Sequence, residues 1–183
     1  MARIILITGG SRSGKSTYAQ NIAESISGTR TYIATCPYID EEMEERIRKH
    51  KEARRSSSWQ TIEETTGLAE ALRISKESRV ILVDCLTLWV NNLMYEAEQR
   101  GEGFSEELMS TLSKEVIEVC SDLSGTVIFV TNEVGLGIIP DNPASRLYRD
   151  IAGRCNQIIA SRADSVIFMI SGIPLIIKGE KII

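Results

Sequence analysis

Eight residues near the amino terminus, Gly9-Gly10-Ser11-Arg12-Ser13-Gly14-Lys15-Ser16, have the types and spacing needed to hold a chain of phosphates. Glycines let the backbone wrap close to a polyanion. Loop N–H groups and the amino end of a following helix supply partial positive charge. Lys15 can reach the outer phosphates, Ser16 can ligate a Mg2+ that bridges them, and Thr17 continues the run into the helix. A second candidate, Asp84, closes the apolar run Arg79-Val80-Ile81-Leu82-Val83. A carboxylate at a strand end can orient the same Mg2+, directly or through water.

The third candidate is His50, the only histidine in the chain. Arg46 and Arg54 stand four residues before and after it, which places all three on one side of a helix. Two guanidinium groups beside an imidazole can grip phosphate oxygens and disfavour imidazolium, leaving a neutral ring competent as a nucleophile. The surrounding segment, residues 40–55, has acids early and bases late and contains few apolar residues beyond Met43 and Ile47. On pattern alone it also reads as a solvated, salt-bridged helix that carries a surface histidine.

These groups need a scaffold, and the chain supplies its pattern. Arg3–Thr8, Thr31–Thr35, Arg79–Asp84, Thr126–Thr131, Ser165–Ile170 and Leu175–Lys178 read as strands. Several are unbroken Val/Ile/Leu runs, as expected for strands covered on both faces of a parallel sheet. Ser105–Leu123 reads as a helix capped by Ser105, with Leu108, Leu112, Val116, Val119 and Leu123 on its core stripe. Asn142-Pro143 opens another, with Leu147, Ile151, Cys155 and Ile158 at helical spacing. Glu96–Ser105 reads as a surface loop. Alternating strands and helices around a phosphate loop predict an α/β fold of P-loop NTPase type. Its open, mostly parallel sheet is flanked by helices on both faces, with ligands at the carboxyl ends of the strands.

Composition narrows the function. The length of 183 residues suits one nucleotide-binding catalytic domain, and the net charge of −4 argues against a general nucleic-acid binder. No apolar stretch reaches the roughly 18 residues of a membrane span. The chain enters its first strand at once, so no signal peptide is expected. Four scattered cysteines without a C-x-x-C spacing fit a reducing, cytoplasmic setting.

Together these residues resemble the bifunctional adenosylcobinamide kinase / adenosylcobinamide-phosphate guanylyltransferase family of cobalamin synthesis. The resemblance runs through Gly9–Ser16, Tyr32-Ile33-Ala34-Thr35, Glu42-Met43, Arg46-Ile47-x-x-His50 and Trp59-x-Thr61-x-Glu63. It continues through Val83–Trp89, Asn91-Asn92-Leu93, Val130-Thr131-Asn132-Glu133-Val134-Gly135, Arg149–Gln157 and Ser171-Gly172-Ile173-Pro174. The resemblance implies phosphorylation of the aminopropanol hydroxyl of adenosylcobinamide from ATP or GTP. It also implies transfer of GMP from GTP onto adenosylcobinamide phosphate through a histidine–GMP bond, at His50 here. It places Ala34, Thr35, Cys36, Lys51, Glu52, Ala53 and Arg54 at the nucleotide, with Glu63 as a further polar or metal-linked contact. It also implies a homotrimer. Trp59 and Tyr38 are expected to be packing aromatics, with stacking on the base as the alternative.

A tension accompanies the two reactions. A P-loop presents the γ-phosphate, whereas guanylylation needs the α-phosphorus. Either the triphosphate binds in two poses or the His50 segment moves. A monofunctional P-loop small-molecule kinase is the alternative reading, and it leaves His50 unused. A GTP-binding switch would need the guanine-reading Asn-Lys-x-Asp segment, which Asn132-Glu133-Val134-Gly135 does not supply.

Overall fold

Apolar runs too continuous for a solvated face become strands buried from both sides. The structure, a computed structural model, describes residues 1–37 and 59–180. Seven strands form one sheet: β1 (Arg3–Gly9), β2 (Arg30–Ala34), β3 (Trp59–Glu63), β4 (Val80–Asp84), β5 (Thr126–Val130), β6 (Ser165–Ile170) and β7 (Ile173–Lys178). Their order is β3-β2-β4-β5-β1-β6-β7. The first six in that order are parallel, and β7 runs antiparallel to β6 at the edge.

Alternation along β1 divides the core. Ile5 and Ile7 face α1 (Lys15–Ser25), packing with Ala19, Ile22 and Ala23. Ile4 and Leu6 face the other side, with α2 (Leu68–Ile74), α3 (Leu86–Gln99), α4 (Glu106–Asp122) and α5 (Pro143–Arg162). Helices therefore cover both faces, as the patterning requires. Trp89 is fully packed there, and its indole N–H donates to the Thr66 carbonyl at 2.7 Å.

Several boundaries differ from the sequence reading. β3 lacks a long apolar run and lies at the sheet edge with only Trp59 and Ile62 partly shielded among its apolar side chains, so its pattern gives little strand signal. Trp59 does pack, edge-on to Tyr32 with ring centroids 6.1 Å apart. Glu96–Gln99 belongs to α3, where Glu96 pairs with Arg100 one turn on at 3.0 Å, so the surface loop starts only at Arg100. Ser105 caps α4 by accepting the Leu108 amide at 3.3 Å. Yet Leu108 is exposed, and the buried stripe passes through Met109, Val116 and Cys120. Asn142 caps α5 as expected, whereas Leu147 in its second turn is also exposed and Ile159 is buried next to half-buried Ile158. Both exposed leucines sit one position before a shielded neighbour, Met109 (buried) and Tyr148 (half-buried), so the packed stripe is rotated from the one the spacing suggests. β7 starts at Ile173 because Ser171 (φ 50°) and Gly172 (φ 84°) form a tight turn of left-handed residues.

Candidate active site

The site is assembled at the carboxyl ends of the parallel strands. Register brings one row of residues into line across the sheet: Glu63, Ala34, Asp84, Val130, Ile7 and Ile167. Three sequence candidates, Glu63, Ala34 and Asp84, thus occupy adjacent positions on three neighbouring strands. β5 separates the strand of the phosphate loop from the strand of Asp84. The gap of one strand leaves room for a ligand above β5.

Gly9 ends β1 at φ 147°, and a Cβ there would collide with the Met169 carbonyl oxygen. The loop then runs through Gly10, Ser11, Arg12 and Ser13 to Gly14, whose φ of 91° starts α1. Arg12 also adopts a left-handed backbone, φ 57°. The Gly172 amide donates to the Ser13 carbonyl at 3.0 Å, so the β6–β7 turn props the loop from outside. Lys15 is buried; its Nζ donates to the Gly10 carbonyl at 2.6 Å and lies 3.5 Å from the Ser13 hydroxyl. Burial pulls the Lys15 ammonium below its ordinary range, with the Asp84 carboxylate pulling the other way. Ser16 is half-buried behind it, and Ser11 and Thr17 are exposed.

Asp84 is half-buried, and one of its carboxylate oxygens accepts the Tyr32 hydroxyl at 3.1 Å. Neighbouring groups hold the strand ends together. The Thr35 hydroxyl donates to the Cys85 carbonyl at 2.7 Å and accepts the Cys85 amide at 2.8 Å. Asn92 of α3 donates to the Thr35 carbonyl at 2.8 Å and the Thr65 carbonyl at 3.0 Å. The Thr35 side chain is therefore fully buried scaffold, whereas Cys36 is half-buried beyond it. Burial and the Asp84 charge push the Cys85 thiol up to about 11, so it stays a neutral thiol.

A second set of bonds fixes the segment after β5. The Thr87 hydroxyl accepts the Asn132 amide at 2.9 Å, and the Tyr148 hydroxyl donates to the Thr87 carbonyl at 3.2 Å. The Thr131 hydroxyl donates to Asn156 at 2.7 Å, whose amide returns a bond to the Asn132 carbonyl at 3.1 Å. Arg149 holds the short turn Val134–Leu136 through the Gly135 carbonyl at 2.7 Å. Sequence reasoning assigned no role to Thr87, Asn92, Asn132, Tyr148 or Asn156. Thr87, Asn92, Asn132 and Asn156 had no signal beyond the motifs they occupy, and Tyr148 had none, because each acts through a partner tens of residues away.

The donor set fits Mg2+. Ser16 and Asp84 offer hard oxygens, and among the described residues no group of three or more His, Cys, Asp and Glu is arranged to hold a metal ion. Two hard oxygen donors suit an ion that keeps waters and phosphate oxygens as its remaining ligands. His50, Arg46, Lys51, Glu52, Ala53, Arg54 and Tyr38 lie outside the described residues, as does the expected movement of the 40–55 segment.

Fold and loop together define a P-loop α/β protein that binds nucleotides. Two solved structures share the fold. One is a prototypical ATPase from the type III secretion system of pathogenic bacteria, with TM-score 0.55 and 18% identity over 91% of this chain and 50% of that one. The other is the assembled ATPase EscN from enteropathogenic E. coli, with TM-score 0.58 and 17% identity over 93% of this chain and 43% of that one. This chain spans half or less of either, and the likeness concerns the fold alone.

The model of the cobinamide kinase / cobinamide phosphate guanyltransferase family matches residues 5–177, and the chain belongs to that family. It is 44% identical to the bifunctional adenosylcobalamin biosynthesis protein CobP of Pseudomonas aeruginosa, over 96% of this chain and 97% of that protein. It is 36% identical to the bifunctional adenosylcobalamin biosynthesis protein CobU of Escherichia coli K12, over 96% of this chain and 99% of that protein. The family covers two reactions, so nothing here favours the monofunctional kinase.

Proposed function

We infer that this protein is the bifunctional transferase of its family: it phosphorylates adenosylcobinamide and transfers GMP from GTP to adenosylcobinamide phosphate in cobalamin biosynthesis. The observation that carries the reading within the structure is the buried Lys15 in a strand–loop–helix turn, with Asp84 held across one intervening strand. Gly9–Thr17 wrap the triphosphate. Lys15 offsets charge on its outer oxygens in both reactions, because both require those phosphates to be held. Ser16 and Asp84 would hold Mg2+, which would supply charge neutralisation at the phosphates. The row position of Ala34 and Glu63 beside Asp84 favours their placement near the nucleotide, with Glu63 as a further polar contact.

For guanylyl transfer, His50 is the nucleophile. Its ring nitrogen bonds to the α-phosphorus of GTP as pyrophosphate departs, and the phosphate of the acceptor then displaces the ring. Arg46 and Arg54 stabilise charge on the leaving group, and Lys51, Glu52 and Ala53 lie along the nucleotide. The support is the sequence: one histidine, between two arginines, in the family motif. The enzyme works as a single-domain chain in a cytoplasmic homotrimer, and it takes ATP or GTP as phosphoryl donor. No helix among the described residues is long and apolar enough to cross a membrane.

Incubation with GTP labelled at the α-phosphorus tests the intermediate. The expected result is an acid-labile, alkali-stable GMP adduct on intact protein that disappears in His50→Ala. Label retained in that variant rules out His50 as the attachment site.

A further inference from the structure

A cleft of about 490 Å3 opens beside Thr8, the residue that precedes the phosphate loop. Leu6 and Thr8 of β1 and Phe168 of β6 form its floor, and Asn156 and Gln157 of α5 stand on its wall. Glu133 borders it, after the end of β5. Two polar groups there have no protein counterpart. Thr8 is only 7% exposed, and its hydroxyl has no hydrogen-bond partner among the described residues. Folded proteins seldom leave such a group unmatched unless something else satisfies it. The Glu133 carboxylate makes no ion pair or hydrogen bond among the described residues. Its backbone, however, is fixed: the Glu133 amide donates to the Gly9 carbonyl at 3.1 Å. A carboxylate is thereby anchored to the residue from which the phosphate loop departs.

We propose that this cleft receives the aminopropanol arm of the acceptor and that Glu133 is the general base of the phosphorylation step. The inference rests on the kinase half of the proposed function. The alcohol O–H bond breaks and its proton passes to a Glu133 carboxylate oxygen. An oxygen lone pair forms the new bond to the γ-phosphorus. The bond from that phosphorus to the β–γ bridging oxygen breaks, and its electron pair leaves with the nucleoside diphosphate. The Thr8 hydroxyl binds a polar group of the arm. Guanylyl transfer needs no such base, because its acceptor is already a phosphate anion. The two reactions therefore differ in their need for Glu133 and share their need for Thr8.

The test measures the two reactions separately, with adenosylcobinamide plus ATP and with adenosylcobinamide phosphate plus GTP. Glu133→Gln should lower kcat for phosphorylation by roughly 10²- to 10³-fold, the usual share of a general base, and abolish the acidic limb of its pH profile. Its KM for ATP and its guanylyl transfer should stay within about threefold of the parent enzyme. Thr8→Val should raise the KM for the corrinoid about tenfold in both reactions without lowering Tm, and Thr8→Ser should restore it. The proposal is overturned if Glu133→Gln phosphorylates at the parent rate, keeps the acidic limb, or loses both reactions equally. An unchanged corrinoid KM in Thr8→Val overturns the placement of the arm. Parent enzyme that guanylylates but never phosphorylates overturns the kinase reading itself, and this role with it.

Discussion

The two ends of the sheet treat polar groups differently. At the amino end, polar side chains close on the backbone or on each other. The Asp164 carboxylate accepts the Ile4 amide at 2.7 Å, and the buried Thr31 and Ser78 hydroxyls bond each other at 2.7 Å. Gly125 approaches Arg79 so closely that a Cβ would collide with the Arg79 carbonyl oxygen. At the carboxyl end, Lys15 is buried on its own loop, Asp84 shares one oxygen with Tyr32, and the Thr8 hydroxyl is left unmatched. One end is arranged for cohesion, and the other retains groups whose chemistry a ligand can use. Mutations should therefore separate into changes of stability below and changes of catalysis above.

The sharpest way to break this contrast is at Lys15. Lys15→Ala should reduce both reactions by about 10²- to 10³-fold, the usual loss of one transition-state charge contact. Tm should hold or rise, because a cation buried at some cost is removed. Steady-state kinetics paired with calorimetry measure the two quantities, and a large fall in Tm would mean that the loop is structural. The opposite case is Gly125→Ala. Its φ of 92° and the close Arg79 backbone make any side chain unfavourable. A cost of about 3 kcal/mol is expected, which lowers Tm by roughly 6–12 °C in a chain of this size. At a temperature where the variant remains folded, kcat should match the parent in both reactions.

A smaller effect sharpens the electrostatic side. Burial lowers the Lys15 pKa in the free protein, and bound phosphate anions must raise it again. Between those two values binding takes up one proton, so nucleotide affinity falls as pH rises, by at most about tenfold per pH unit. Titration calorimetry in alkaline buffers of different ionisation enthalpy should show that proton uptake. Lys15→Arg should not show it, since a guanidinium stays charged there.

Most of the strand pattern could be read because burial on both faces leaves unbroken runs such as Val80-Ile81-Leu82-Val83. β3 escaped because an edge strand with half-exposed residues has no need of such a run. Leu108 and Leu147 were misplaced because helical periodicity identifies a stripe but does not fix which of two neighbouring residues faces the core: Met109 and Tyr148 take the inward places beside them. At the site, the strand–loop–helix form of the phosphate loop and the strand-end position of Asp84 were readable from type and context. The supports from Asn92, Tyr148 and Asn156 were not, since nothing in a residue's own neighbourhood announces a bond to a distant carbonyl or side chain.

Local order was enough to establish the phosphate loop, the strand that feeds it and the helix that follows, because all three properties reside in about twenty consecutive residues. The tertiary structure alone decided that β5 separates the loop from Asp84, that Glu63, Ala34 and Asp84 share one row, and that Thr8 and Glu133 border one cleft. Those relations depend on strand order and register, and pairing between segments far apart in the chain sets both.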